Sequence, residues 1–158
     1  MARKGRYLVA VDFSRDSRRA LRVARELARR TGALLVLAHV RPLSDVRAAV
    51  VEERGDLLGQ KAGSLLQSVA AHYAGRLAAW ARKTDRVLVL RGVPALALCR
   101  EAARGYELLV MGSRGRGAVS AALLGSTVQR TLTRSPIPVL IAPRSRSVTR
   151  PGRQTPVR

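Results

Sequence analysis

Five short, largely apolar runs alternate with stretches of helical spacing along this chain, and that alternation limits its fold more than any other feature. The runs lie at residues 7–11, 33–40, 86–90, 108–111 and 138–143, and their apolar character suits strands buried on both faces. Ser14 stands at a helix start, Ala20, Leu21, Ala24, Leu27 and Ala28 follow at helical spacing, and Gly32 ends the helix as a C-cap. Residues 46–81 carry Leu58, Ala62, Leu65, Leu66, Val69, Tyr73, Leu77 and Trp80 on one stripe. Gly55, Gly59 and Gly63 are expected to break or loosen the first half of that stretch. Gly92-Val93-Pro94 opens a third helix with proline near its first position. Residues 125–134 form a fourth, with Leu124, Val128 and Leu132 on one face and Ser126 as a candidate N-cap. Strands alternating with helices imply right-handed crossovers and an α/β fold, a five-stranded parallel sheet sandwiched by four helices in three Rossmann-like layers.

Ligands of such sheets bind beyond the carboxyl ends of the strands, where the strand order reverses. The fourth apolar run meets a glycine there, in Met111-Gly112-Ser113-Arg114-Gly115-Arg116-Gly117, with Leu124-Gly125-Ser126-Thr127-Val128 following. A strand, a glycine loop and a helix start together aim free N–H groups at one point, which is how backbones hold phosphate. No lysine accompanies these glycines, so the loop is not a Walker A sequence, and Gly115 and Gly117 do not extend to G-x-G-x-x-G. The spacing present is G-x-x-G-x9-G-S. Asp12 and Val40 also fall at carboxyl ends of strands, level with the loop. Asp12 is open to two readings, a ligand contact and a cap of the first helix.

The length fits one domain with a real core, residues 1–143, followed by a basic tail at 144–158 that is expected to be disordered. The one cysteine, Cys99, excludes an intramolecular disulfide and suits a small buried hydrophobe in a reducing compartment. No apolar run approaches a membrane span and no targeting segment follows Arg3-Lys4, so a soluble, cytoplasmic protein is expected. Two separated histidines and one cysteine do not make a zinc set. His39 is expected to be packed or hydrogen-bonded, and His72 to be surface or core filler. With no nucleophile pattern beside them, no catalytic residue is assigned.

As a set, several segments resemble the universal stress protein family of the ATP-binding type. They are Val9-Ala10-Val11-Asp12-Phe13-Ser14, His39-Val40, Gly92-Val93-Pro94, the glycine loop, and Ser135-Pro136-Ile137-Pro138-Val139-Leu140-Ile141. Members that bind ATP share G-x-x-G-x9-G-[ST], which this chain matches without gaps. The resemblance implies an adenine-nucleotide alpha-hydrolase-like fold and gives the residues roles. Ala10 and Val11 would form pocket wall, Asp12 would lie near ribose and phosphates, and Val40 would contact adenine. Gly112 and Gly115 would line the phosphate side, where Gly125, Ser126 and Thr127 would offer amides and hydroxyls. Arg114 and Arg116 add charge favouring a triphosphate, and Mg2+ arriving with the nucleotide would meet Asp12. Phe13 departs from the small residue many members carry there, so its ring either narrows the pocket or packs beside it.

The formal charge of +20 comes from 30 basic residues, of which only Lys4, Lys61 and Lys83 are not arginine. Arg15, Arg18, Arg22, Arg25 and Arg29 recur every three or four residues opposite the apolar stripe of the first helix, as a basic ridge. A solvated helix face explains the ridge better than a nucleic-acid surface, since exposed aromatics for base stacking are scarce. The last strand, with Val139, Leu140 and Ile141, is expected at a sheet edge, where self-pairing into a homodimer would cover it; members of the family often dimerise there. The function expected is a nucleotide-dependent regulatory or stress-adaptation factor that binds ATP. The alternatives are a slow ATPase and a nucleic-acid-binding protein.

Overall fold

The computed structural model describes residues 4–41, 60–115 and 124–143. Strand β1 (Arg6–Ala10) leads into helix α1 (Arg15–Thr31) and β2 (Leu34–Arg41); α2 (Gln60–Ala78) precedes β3 (Arg86–Arg91), α3 (Pro94–Ala102) and β4 (Leu108–Gly112); α4 (Ser126–Leu132) and β5 (Val139–Ala142) complete the order. All strand pairs are parallel, and the sheet order is β3-β2-β1-β4-β5. The chain therefore builds outward from β1 in one direction and then in the other, so the order reverses between β1 and β4.

The strands are apolar throughout because each feeds two cores, side chains on a strand pointing alternately to opposite faces. Val9, Leu37 and Val110 join Leu21, Ala24 and Leu77 on the α1/α2 face. Their neighbours Leu8, Val36 and Leu109 join Leu98, Ala102 and Val128 on the α3/α4 face. Cys99 is buried, and burial pushes its thiol pKa up, which leaves it inert. Tyr106 donates to Glu101 Oε1 at 3.0 Å beneath α3, and burial with that bond pushes its pKa up to about 12.

The helix ends follow their local chemistry. Ser14 caps α1 by accepting from the Ser17 N–H at 3.1 Å, and Gly32 closes it with φ 72°, a left-handed value glycine adopts without strain. Pro94 occupies the first turn of α3, where its missing N–H costs nothing.

Three expectations need correction. The long helical stretch is described as α2 only from Gln60 to Ala78, and Trp80 lies beyond it in a turn where its N–H bonds Leu77 O. Gly63 falls inside α2, whereas Gly55, Gly59 and Leu58 lie outside the described residues, as does the tail at 144–158. Ser126 is the first residue of α4 and does not cap it; Gly125 holds the cap position. The inner face of α4 is Val128 with Thr131, while Leu124 and Leu132 are exposed. Leu124 precedes the cap, and Thr131 can be buried because its hydroxyl donates to Thr127 O at 2.8 Å.

Candidate functional site

A cavity of about 490 Å³ opens beyond the carboxyl ends of β1, β2 and β4, at the reversal of strand order. Ala10, Val11, Asp12, Val40, Gly112, Arg114, Gly115, Gly125, Ser126 and Thr127, all singled out in the sequence, line it together. Arg116 lies outside the described residues. Ser17, Ala38, His39, Tyr73, Pro94, Leu98, Met111 and Val128 also line the cavity. The sequence places Ala38, His39 and Met111 in strand runs, Tyr73 and Val128 on helix stripes and Pro94 at a helix start, and these residue types carry no signal that would separate a cavity wall from a core.

The loop after β4 is tied on three sides. Ser113 Oγ donates to Asp16 Oδ2 at 3.1 Å, the Ser113 N–H reaches Ala142 O at 3.2 Å, and the Gly125 N–H reaches Ser113 O at 3.0 Å. Those bonds bring Gly115 beside Gly125 although nine residues separate them in sequence. The two ends of G-x-x-G-x9-G-S thus meet at one wall, with the first-turn N–H groups of α4 beside them lacking intrahelical acceptors.

The glycines differ in why they lack a side chain. A Cβ on Gly112 would stand 2.7 Å from the backbone carbonyl carbon of Asp16, so α1 itself requires glycine there. On Gly115 a Cβ would stand 2.8 Å from Asp12 Oδ2, inside the cavity wall. On Gly125 it would meet Arg114 Cα at 3.4 Å, an ordinary contact. The role implied for Gly112 is thus chiefly helix–strand packing, although it also borders the cavity.

Asp12 is not the helix cap. Its Oδ1 accepts from the Ser14 N–H at 3.0 Å and fixes the turn between β1 and α1, leaving the capping to Ser14. That turn puts Phe13 at φ 65°, a left-handed conformation that costs a non-glycine residue about 1–2 kcal/mol. The ring of Phe13 packs beside the cavity: it lies 4.8 Å from His39 and meets Trp80 edge-on at 5.6 Å. His39 is buried with Nδ1 2.7 Å from Val11 O, and because a carbonyl only accepts, Nδ1 carries the proton. It is therefore a packed, hydrogen-bonded histidine. His72 is exposed.

The basic ridge is less open than its spacing suggests. Arg25 bonds Trp80 O and pairs with Asp85 at 3.1 Å, Arg18 lies over the Trp80 ring at 4.7 Å, and Arg29 pairs with Glu26 at 2.9 Å. Arg29 and Arg30 together hold the Glu26 carboxyl down at about 2. Arg15, Arg18, Arg22 and Arg29 are exposed and only Arg25 is partly buried, but Arg15 and Arg22 are the ones outside these contacts. Arg18 and Arg25, two helical turns apart on that face, are the members that meet the turn before β3.

Residues 5–143 match the sequence model of the universal stress protein family. The chain belongs to the universal stress protein family. A universal stress protein of Mycobacterium tuberculosis is 36% identical over 142 residues, covering 87% of this chain and 45% of its own length; the chain thus spans about half of that relative. A universal stress protein of Thermus aquaticus is 32% identical, over 85% of this chain and 95% of its own. Among solved structures, a universal stress protein in complex with cAMP superimposes with a TM-score of 0.55 at 24% identity, over 87% of this chain and 95% of its own. That likeness shows the shared fold, the Rossmann-like three-layer α/β arrangement. Among the described residues, no helix is long and apolar enough to cross a membrane.

Proposed function

We propose that this universal stress protein binds an adenine nucleotide, ATP foremost, and works as a nucleotide-dependent regulatory or stress-adaptation factor in the cytoplasm. The observation that carries the reading is the single wall made by Gly115, Gly125, Ser126 and Thr127 with Asp12 beside it, in a cavity of nucleotide size at the switch point of the sheet. The cAMP bound by a structural relative supports an adenine ligand in this fold. Backbone N–H groups and Arg114 suit a run of phosphates, and the apolar side chains of Val40, Pro94 and Leu98 suit a base. Among the described residues, no group of three or more His, Cys, Asp or Glu could hold a metal. Mg2+ would come with the phosphates and meet Asp12, the one carboxylate among the described residues that line the cavity.

Freshly purified protein, denatured and analysed by mass spectrometry, is expected to release an adenine nucleotide. Protein that releases none, and that binds none of ATP, ADP or AMP at millimolar concentration by calorimetry, would overturn the reading. Steady phosphate release from magnesium-ATP that disappears in Asp12→Ala would instead assign slow hydrolysis.

We also propose a homodimer through β5. The two sheet edges differ: β3 ends in exposed Arg86 and Arg91, charges that discourage pairing, whereas Val139, Leu140 and Ile141 of β5 are apolar and only partly covered. Light scattering at micromolar concentration is expected to give the mass of two chains. A single-chain mass there counts against this assembly.

A further inference from the structure

The cavity has two aromatic walls, His39 and Tyr73, and neither belongs to the glycine loop or its partners. Tyr73 comes from α2 and reaches over the carboxyl end of β2, on the opposite side of the sheet from Pro94 and Leu98. Its ring centroid lies 4.4 Å from that of His39, with 33° between the planes. His39 is itself held by the 2.7 Å bond to Val11 O. Phe13 stands behind both, 4.8 Å from His39 and 6.3 Å from Tyr73, its plane only 15° from that of Tyr73. Arg76, one helical turn after Tyr73, covers Phe13 at 3.9 Å and fastens α2 to this stack.

The rings are thus fixed in place before any ligand arrives. The strained Phe13 backbone belongs to the same arrangement, since its left-handed φ directs the turn that carries the ring. Phosphate recognition needs N–H groups and positive charge, and the loop supplies these. A fixed aromatic face offers something different: it stacks on a flat π-system, whatever hydrogen bonds that system makes at its edge. Tyr73 lines the same cavity as Ala38 and Val40, the apolar residues that flank His39 in β2.

We infer that Tyr73 is a specificity-determining residue, a stacking wall for the base of the bound nucleotide, with His39 as the residue that positions it. The inference rests on the adenine-nucleotide reading above and adds which side chain selects an aromatic base over other groups attached to a phosphate.

The test compares Tyr73→Phe with Tyr73→Leu for ATP binding by calorimetry. The two replacements are similar in bulk and apolarity, and only phenylalanine keeps a π-face. Tyr73→Phe is expected to stay within about threefold of the wild type, and Tyr73→Leu to lose about tenfold or more. Tyr73→Trp, a second ring-bearing variant, is expected to group with phenylalanine, and urea midpoints without ligand show whether each variant is folded. Equal affinity of the leucine and phenylalanine variants overturns the stacking role while leaving the nucleotide site standing. A wild-type protein that binds no adenine nucleotide overturns the site itself, and the stacking role with it.

Discussion

Gly112→Ala is expected to destabilise the protein by about 3 kcal/mol or more, while Gly115→Ala folds normally and loses most of its nucleotide affinity. The two glycines sit three residues apart in one loop, but their missing Cβ atoms face different neighbours. At Gly112 the added carbon would come within 2.7 to 2.9 Å of Asp16 C, O and Cβ. Two of those atoms are backbone in the first turn of α1, which is anchored by the Ser14 cap and cannot yield without moving the helix off β4. At Gly115 the close atoms among the described residues belong to the end of the Asp12 side chain. That carboxylate can rotate away at little cost to the fold. It would then leave the position it holds beside the phosphate-binding wall, where the new Cβ takes its place. Loss of one or two charge-assisted contacts amounts to about 10- to 100-fold in affinity. Urea unfolding and calorimetry on the two variants check both halves. A Gly112→Ala protein of wild-type stability would show that α1 and β4 are not in obligatory contact there. Unchanged ATP affinity in Gly115→Ala would remove the loop from the site.

Most of what positions this site was legible in the chain, for identifiable reasons. Continuous apolar runs such as residues 7–11 mark strands buried on both faces, and Leu8 and Val9 do enter opposite cores. Glycines at strand ends mark loops, and Gly112, Gly115 and Gly125 border one cavity. What the sequence did not carry was everything that depends on which distant residue arrives nearby. Periodicity placed Tyr73 on an apolar stripe, as it placed Leu77, yet one lines the cavity and the other is sealed in the core. The same limit applies to α4: helical spacing favours Leu132 as the partner of Val128, and only α3 packed alongside shows that Thr131 takes the inner position. Phe13 was open to two readings for the same reason, because its conformation is set by a turn whose geometry Asp12 dictates from one residue away.

The arginines of α1 bring the second large effect. Arg25→Ala is expected to cost about 2–4 kcal/mol, whereas Arg22→Ala stays within about 0.5 kcal/mol, although spacing alone makes the two equivalent. Asp85 is only 5% exposed and accepts from both the Arg25 guanidinium and the Arg82 N–H. Arg25 is itself 20% exposed, so the pair is partly solvated and sits below the full range for a buried ion pair. Removing the arginine leaves a buried carboxylate with one backbone donor, and also frees the Trp80 carbonyl that the same guanidinium binds. That is two lost partners on the turn that connects α2 to β3. Because the cost comes from a stranded charge, adding Asp85→Asn to Arg25→Ala is expected to restore part of the lost stability. Thermal or urea unfolding of the single and double variants decides the point. An Arg25→Ala midpoint equal to that of the wild type would mean that the pair contributes nothing and that the ridge is an ordinary solvated face. The same physics governs how nucleic-acid binding by this surface has to be tested. Charge removal at Arg18 or Arg25 alters the packing around Trp80, so any loss of binding would be confounded with loss of structure. Neutralising Arg15 and Arg22, both exposed, changes the ridge's charge and leaves those contacts intact.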